Sequence, residues 1–351
     1  MPEAGRAQAG ILDVARRAGV SPSTVSRSLR GSAKVSEATR DRVLRAAAEL
    51  AYVPSPAASR LASGRTYAVG VIVPFATRWF FSEVLTGIEG PLREAGYDLL
   101  LYNVGDPECR ARFFGELPLR RRVDAVLTVA SSFDPAEQAA LRALRVPLAV
   151  VGGHVAGFPR VGIDDAAGAT AAVRHLLVLG HRDVAMISGD PRDPHGRVTT
   201  SARRAGFEAA LTEAGIEPSP DRVVAEPWGV TGGMRAMAQL LSGRRLPTGV
   251  FAESDEMALG ALQTLRRAGL EVPGRVSLVG FDDHEMALAG DLTTVAQPVR
   301  RQGRLAAQLL LQVLAGTSPA DGDVLLPTRL VVRGSTGPPP GEPSSHGSAF
   351  A

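Results

Sequence analysis

A cluster of hydroxyl and guanidinium side chains lies near the start of the 351-residue chain. In the stretch ILDVARRAGVSPSTVSRSLRG, residues 11–31, the segment 21–27 holds three serines, a threonine and an arginine. Such side chains contact the base edges and phosphates of DNA. The candidate DNA-contacting residues are Ser21, Pro22, Ser23, Thr24, Ser26 and Arg27.

The charge of this part of the chain favours the same chemistry. Residues 1–66 carry eleven arginines and lysines against five acidic residues, whereas the whole chain has a net charge of only +3. A small basic module therefore precedes a mildly acidic body. Binding of a polyanion is the natural hypothesis for such a module, although charge alone allows a solvated basic face equally well.

The spacing of apolar residues predicts two short helices joined by a glycine turn. The first helix has apolar residues at helical spacing, at Ile11, Val14, Ala15 and Ala18. Gly19 suits the turn, Ser21 suits an N-cap, and Pro22 suits the first helical position. Val25 and Leu29 give the second helix an apolar side. This is a helix-turn-helix, in which the second helix enters the major groove of DNA.

A third helix and a proline-rich segment follow. Ser36 is expected to cap the helix, whose predicted apolar face is Val43, Leu44, Ala47 and Leu50. The segment YVPSPAASRLASGRT, residues 52–66, contains two prolines and a glycine that disfavour an isolated helix. It is either a flexible linker or a hinge helix that folds on DNA, with Leu61 as a wedge in the minor groove.

The motifs DVARRAGVSPSTVSRSLRG and VSEATRDRVLRAAAELAYVPSPAASRLASGRT resemble the headpiece and hinge of the LacI/GalR family of transcriptional regulators. The resemblance implies that Ala58 and Leu61 contact the operator from the hinge. Ser55 stands where the family usually has Asn, and a serine can also cap the hinge helix. Ser59 replaces a frequent arginine of the family.

From Tyr67 onward, short apolar runs alternate with helical patterns, which predicts doubly wound parallel sheets. Motifs such as AGATAAVRHLLVLGHRDVAMI, PGRVSLVGFDD and LTTVAQP resemble the effector-binding core of the same family, which is built like periplasmic sugar-binding proteins. We therefore expect an all-α headpiece and a two-lobed α/β core. The expected segments are headpiece 1–53, hinge 54–66, core 67–334 and a disordered tail 335–351. The resemblance places one lobe at 67–160 plus 297–322 and the other at 162–292 plus 324–333, with the cleft at three crossings.

Several polar and aromatic residues of the core could hold a ligand. Carboxylates and arginine pair with hydroxyl groups, and aromatic faces stack on the C–H face of a sugar. Taken singly, an Asp at a helix start is usually a cap, and Phe80 and Phe81 are more often core residues. The resemblance supports the whole set, which is Phe80, Phe81, Thr199, Arg203, Trp228, Ser254, Asp255, Asp282 and Gln297. Ser254 and Phe75 replace polar residues that are frequent in the family, so the effector identity stays open.

Other function classes find less support. A single cysteine excludes an intramolecular disulfide, no apolar run reaches the length of a membrane span, and the first ten residues hold no apolar secretory segment. A cytoplasmic protein without membrane partners is expected. Phosphate loops, GxGxxG, GxSxG and HExxH motifs are missing from the sequence, and the spacing of His175 and His181 disfavours a metal site.

The sequence therefore predicts a transcriptional regulator and not an enzyme, with no cofactor and no metal. It is expected to bind a palindromic operator in double-stranded DNA as a homodimer, and to respond to a sugar or sugar derivative. Repression relieved by the effector is favoured over corepression, while dimer and tetramer both remain open. The alternatives are a periplasmic-type binding protein, disfavoured by the headpiece, and a doubly wound kinase or dehydrogenase, disfavoured by the missing loops.

Overall fold

A computed structural model describes residues 9–29, 34–52, 64–153, 155, 157–193, 195, 197–317 and 323–341. The chain divides into two units, which meet in sequence between Thr66 and Tyr67. Within the described residues, no helix combines the length and the apolar character needed to cross a membrane.

The N-terminal unit contains three helices around a small apolar core. They are α1 (Ile11–Ala18), α2 (Pro22–Leu29) and α3 (Glu37–Glu49). Gly19 ends α1 at a φ of 64°, a conformation that favours glycine. The Ser21 hydroxyl accepts a hydrogen bond from the Thr24 amide at 3.2 Å at the start of α2. The predicted helix-turn-helix is confirmed.

One predicted core residue of α3 lies on the outside. Leu44 is 47% exposed, whereas Val43, Ala46 and Ala47 are buried. Because a helix turns once in 3.6 residues, positions 43, 46, 47 and 50 share a face and position 44 does not. The prediction of Leu44 in the apolar face was wrong, and Ala46 takes its place.

The second unit contains two six-stranded sheets. Its strands are β1 (Ala68–Val73), β2 (Asp98–Asn103), β3 (Ala125–Val129), β4 (Leu148–Val151), β5 (Arg160–Ile163), β6 (Val184–Gly189), β7 (Val223–Glu226), β8 (Gly249–Ala252), β9 (Ser277–Asp282), β10 (Thr293–Ala296), β11 (Val324–Leu326) and β12 (Arg329–Val331). The first sheet has the order β11-β5-β4-β3-β1-β2, and the second has the order β12-β10-β9-β8-β6-β7. The strand pairs are parallel except for the antiparallel pair of β10 with β12.

Helices flank these sheets, as expected for buried parallel strands. They are α4 (Trp79–Glu94), α5 (Pro107–Glu116), α6 (Pro135–Ala143), α7 (Asp165–Val178), α8 (Arg197–Glu213), α9 (Val230–Leu241), α10 (Asp255–Arg267), α11 (Glu285–Ala289) and α12 (Val299–Leu314). A 3-10 turn spans Pro220–Arg222. Apolar runs such as AVGVIV and AVLTV are buried along their whole length because helices cover both faces. The predicted fold class is confirmed.

The chain crosses between the sheets three times, after β5, β10 and β11. The expected lobe boundaries at 160–162 and 324 were nevertheless wrong. Strand β11 pairs in parallel with β5, in the register Val324 with Val161 and Leu326 with Ile163. Both strands thus belong to the first sheet. Pro327 follows β11, and because proline has no amide hydrogen to continue the ladder, the crossing comes there.

The expected disordered tail is packed over its first residues. Ser335 is 3% exposed, and its hydroxyl donates to the Leu278 carbonyl at 2.6 Å and accepts from the Thr293 amide at 2.8 Å. The Gly337 amide donates to the Ser277 hydroxyl at 3.0 Å. Residues 335–337 are therefore held by hydrogen bonds to β9 and to the start of β10, which composition alone does not show. Residues 342–351 lie outside the described residues.

Replacing Ser335 should weaken the core. Ser335→Ala leaves one buried carbonyl and one buried amide without their partner, so the free energy of unfolding should fall by about 1–3 kcal/mol. Urea denaturation followed by far-UV circular dichroism measures this loss. The control is Ser242→Ala, at an exposed helix end where the hydroxyl donates to the Gln239 carbonyl, with an expected change within about 0.5 kcal/mol. Equal small losses in both variants would show that the segment is not docked.

Candidate functional site

A cleft lies between the two lobes of the second unit, of which the first lobe is built on the sheet that contains β1 and the second on the sheet that contains β6. Several of its lining residues follow the carboxyl ends of parallel strands. Ala130 follows β3, Gly152 follows β4, Asp282 ends β9 and Gln297 follows β10. Ligands of open parallel sheets bind at this end of the strands, so the topology itself selects this cleft as the binding site.

The wall contributed by the first lobe is aromatic. The rings of Phe75 and Phe81 meet edge to face at 5.9 Å, and Phe80 and Phe81 do so at 5.3 Å. Trp228 faces the cleft from the second lobe. Its indole lies against Gly189, where a Cβ atom would come within 2.4 Å of Nε1. Glycine at this strand end is therefore what lets the tryptophan occupy its place.

The wall contributed by the second lobe is built around the Arg203 guanidinium. Arg203 is 4% exposed and binds Asp165 through Nη2 at 2.8 Å and Nε at 2.9 Å. Its Nη1 donates to the Glu253 carbonyl and lies 3.9 Å from Asp282 Oδ1. The guanidinium also stacks on the Phe281 ring, 3.6 Å from the ring centroid. One side chain thus ties the start of α7 to the ends of β8 and β9.

Asp282 is held in an unusual backbone conformation at the edge of the cleft. Its φ is 119°, a region that costs a residue other than glycine about 1–3 kcal/mol and that concentrates at functional sites. Burial raises the pKa of the Asp282 carboxyl to about 7, although Arg203 and the Gln297 hydrogen bond oppose the rise. The Gln297 amide donates to Asp282 Oδ1 at 2.6 Å.

Glu253 lies behind this wall as a fully buried carboxyl group. It accepts hydrogen bonds from the Ser188 hydroxyl at 2.9 Å, the Gly189 amide at 2.9 Å and the Thr200 hydroxyl at 3.1 Å. Burial nevertheless raises its pKa to about 7. Glu253 therefore supports the strand ends that carry the site.

Aromatic and histidine side chains join the two lobes across the cleft. Phe75 of the first lobe meets His195 of the second at 5.7 Å, and Arg110 Nη1 lies 3.2 Å from His195 Nδ1. Trp79 and His284 pack at 4.9 Å. Burial lowers the pKa of both histidines, which favours the neutral imidazole in these contacts.

In the N-terminal unit, α2 presents one polar face to solvent. Ser21, Pro22, Ser23 and Arg27 are exposed, Thr24 and Ser26 are half-buried, and Val25 and Ser28 face the core. Arg27 donates to the Ser23 hydroxyl and carbonyl, both at 3.2 Å. Among the described residues the partners of Arg27 are local, so this exposed arginine is available for DNA. The hinge candidates Ser55, Ala58 and Leu61 lie outside the described residues.

Comparison with known proteins identifies both units. Residues 10–55 match the model of bacterial regulatory proteins of the lacI family, and residues 173–336 match a periplasmic binding protein-like domain. The transcriptional repressor CytR of Escherichia coli K12 is 35% identical over 93% of this chain and 96% of its own. The chain belongs to the LacI family.

Two solved structures of relatives have the same architecture. A Lac repressor dimer bound to operator and the anti-inducer ONPF superposes with a TM-score of 0.83 at 29% identity, covering 94% of this chain and all of that one. A complex of the regulator CelR with cellobiose has a TM-score of 0.70 at 33% identity, covering 93% and 99%. As a LacI family member the chain is a DNA-binding transcriptional regulator, so the prediction of a regulator and not an enzyme is confirmed.

The structure brings most of the predicted effector residues of this LacI family protein together. The predicted residues that line the cleft are Phe80, Phe81, Thr199, Arg203, Trp228, Ser254, Asp282 and Gln297. Asp255 does not line it and is fully buried. The Asp255 carboxylate accepts from the Thr294 hydroxyl and the His284 amide, both at 2.7 Å, so it joins α10 to β10. The next residue, Glu256, lines the cleft instead.

Sequence reasoning missed several further residues of the cleft. They are Arg78, Asp165, Asp193, His195, Glu256 and Gln302. Asp165 and Glu256 lie in the first turn of helices that follow strands. That position in the sequence could have indicated that they line the cleft. Gln302, at the fourth position of α12, carried no local signal because its distance from the cleft depends on how that helix packs.

The buried Glu253 carboxyl should make the stability of the core depend on pH. Its pKa is about 7 in the fold against an ordinary value of 4.5, so the folded chain keeps a proton that the unfolded chain has released. The protonated Glu253 carboxyl therefore stabilises the folded chain relative to the unfolded one. This contribution is fully present below pH 4.5 and is lost as pH rises through 7. Glu253→Gln should lack this dependence.

Urea denaturation between pH 4.5 and 8 measures the effect. The free energy of unfolding of the wild type should fall relative to that of Glu253→Gln as pH rises, and the difference should level off above pH 7. Glu217→Gln, at an exposed position, is the matched control and should parallel the wild type. A constant difference between wild type and Glu253→Gln would refute the raised pKa.

Proposed function

We propose that this chain represses transcription as a homodimer on a near-palindromic operator, and that an uncharged, sugar-like effector in the cleft controls it. The observation that carries the effector assignment is the pairing of an aromatic wall with buried carboxylate and guanidinium groups across one cleft. The exposed polar face of α2 supports the DNA assignment. The site of action is the cytoplasm, where the DNA is.

The operator assignment rests on α2 and on symmetry. The hydroxyl and arginine side chains at the start of α2 suit base edges and phosphates in the major groove. A twofold dimer presents two such helices, so its site is a palindrome. The Lac repressor relative was solved as a dimer on its operator, and the CytR relative is a repressor. These two relatives support a homodimer and a repressor role for this chain.

The effector assignment rests on the chemistry of the cleft. Arg203 and Asp282 offer charged hydrogen-bonding groups to hydroxyls, and the rings of Phe80, Phe81 and Trp228 offer faces to C–H surfaces. The CelR relative was solved with cellobiose, a ligand of this chemistry. The cleft holds fewer polar residues than the family pattern would place there. This favours an effector with fewer hydroxyl groups or with an apolar portion.

Control of DNA binding follows from where the hinge joins the core. The segment 54–66 leads directly into β1 of the first lobe. An effector that binds one relative arrangement of the lobes more tightly shifts the protein toward it, and the segment 54–66 connects the first lobe to the DNA-binding unit in the sequence. A coupling of about 1–3 kcal/mol changes DNA affinity by about 5–150-fold.

The DNA assignment is tested by selection from a random double-stranded DNA pool with the full chain and no effector. Wild type should enrich one palindrome. Arg27→Ala should weaken binding to it by roughly 5–150-fold, because one base contact contributes about 1–3 kcal/mol. Arg45→Ala, exposed on α3, is the control and should keep the specificity. Enrichment of the same palindrome by Arg27→Ala with undiminished affinity would remove α2 from the interface.

The effector assignment is tested by Asp282→Asn. Asparagine keeps an oxygen for the Gln297 amide but removes the charge, so effector affinity should fall by roughly 10–150-fold, as for the loss of a charged hydrogen bond. Calorimetry measures effector affinity, and anisotropy of labelled operator measures DNA affinity, which should stay unchanged. Asp221→Asn, exposed in the turn before β7, is the control. A wild-type dose response in Asp282→Asn would exclude the carboxylate from the site.

A further inference from the structure

A buried glutamine lines the cleft with one polar atom unused. Gln302, on α12 of the first lobe, is 0% exposed and is among the residues lining the cleft. Its Nε2 donates to Gln297 Oε1 at 2.7 Å. Its Oε1 is buried and has no hydrogen-bond partner among the described residues. A buried carbonyl without a partner destabilises a fold, so such a group calls for an explanation.

The orientation of this amide is fixed by a relay that ends on a carboxylate. Gln302 donates to Gln297, and Gln297 donates to Asp282 Oδ1 at 2.6 Å. The Arg203 guanidinium lies 3.9 Å from the same Oδ1, which keeps this oxygen an acceptor. Gln297 must therefore turn its NH₂ group to Asp282 and its oxygen to Gln302. With the Asp282 carboxylate as the acceptor at one end, the free end of the relay is the Gln302 carbonyl oxygen, which is also an acceptor.

The charges around the cleft add a second constraint on what binds there. Acidic side chains outnumber the two guanidinium groups among the lining residues, which include Asp165, Asp193, Glu256 and Asp282 against Arg78 and Arg203. Arg203 is committed to Asp165 and to the Glu253 carbonyl. An anionic ligand would meet the carboxyl groups of Asp193 and Glu256 against the single guanidinium of Arg78, so its binding in this partly buried site would be opposed.

We infer that Gln302 determines effector specificity, its Oε1 accepting a hydrogen bond from a hydroxyl or amino group of an uncharged effector, and that the site rejects phosphorylated counterparts. This inference rests on the proposed function of the cleft. Gln302 belongs to the first lobe, Asp282 to the second, and Gln297 to the crossing between them. The relay of hydrogen bonds therefore joins the two lobes. An effector hydrogen on Gln302 Oε1 extends this chain of hydrogen bonds, which already joins the two lobes, to the bound effector.

The test uses Gln302→Met in the full chain, which keeps the length of the side chain and removes its amide. Gln308→Met, an exposed position on the same helix, is the control. The probes are D-ribose, D-glucose, cellobiose and adenosine, each beside a phosphorylated counterpart (ribose 5-phosphate, glucose 6-phosphate, cellobiose phosphate and AMP). Thermal shift identifies the probe that binds wild type, and calorimetry gives its affinity for each variant.

We expect the uncharged probe to bind Gln302→Met roughly tenfold more weakly than wild type, as for one lost hydrogen bond, and its phosphorylated form not to bind. Gln308→Met should match wild type. The melting temperature of unliganded Gln302→Met should stay close to that of wild type, because the variant exchanges one unpaired carbonyl, that of Gln302, for another, that of Gln297. A strongly lowered melting temperature would instead assign Gln302 a structural role and overturn the inference.

The other outcomes separate this inference from the proposed function. Equal affinity of the uncharged probe for wild type and Gln302→Met would overturn the role of Gln302 and leave the sugar-like effector standing. A phosphorylated probe that binds as tightly as its uncharged form would overturn the charge selectivity. Binding of none of the probes by wild type would overturn the sugar-like effector and the inference with it, while the DNA selection would still report on the regulator.

Discussion

The burial of the Arg203 guanidinium among carboxyl groups is the constraint on which the binding site depends. Arg203 binds Asp165 directly, approaches Asp282 and donates to the backbone of Glu253. Removing one partner of such a buried set costs about 3–5 kcal/mol, because the remaining charges lose their compensation. The ends of two strands and the start of one helix are thereby fixed in the geometry that a ligand meets.

The two lobes contribute different kinds of side chain to the walls of the cleft. The first lobe supplies the phenylalanine rings and Gln302, and the second supplies Trp228 and the charged groups around Arg203. A ligand that satisfies both walls must hold the lobes in one arrangement, which is how binding free energy becomes a conformational preference. The proposed control of DNA binding rests on this preference, because the first lobe directly follows the segment 54–66 in the sequence.

Much of this organisation was readable from the sequence because it is encoded locally. Ser21, Pro22 and Gly19 mark the helix-turn-helix through capping and turn chemistry, and the alternation of apolar runs with helical patterns predicted the two parallel sheets. Features set by tertiary packing were not readable. The pairing of β11 with β5, the docking of Ser335 on β9, and the exchange of Asp255 for Glu256 at the cleft all depend on contacts between distant segments.

The most direct test of the account is thermodynamic linkage between the cleft and the DNA. The affinity of the full chain for its selected palindrome is measured by anisotropy with and without a saturating concentration of the uncharged probe, and the affinity for the probe is measured with and without the DNA. We expect the same factor in both directions, within about 5–150-fold. A DNA affinity that does not change at saturating probe would contradict it, because the cleft would then be a binding site without a regulatory role.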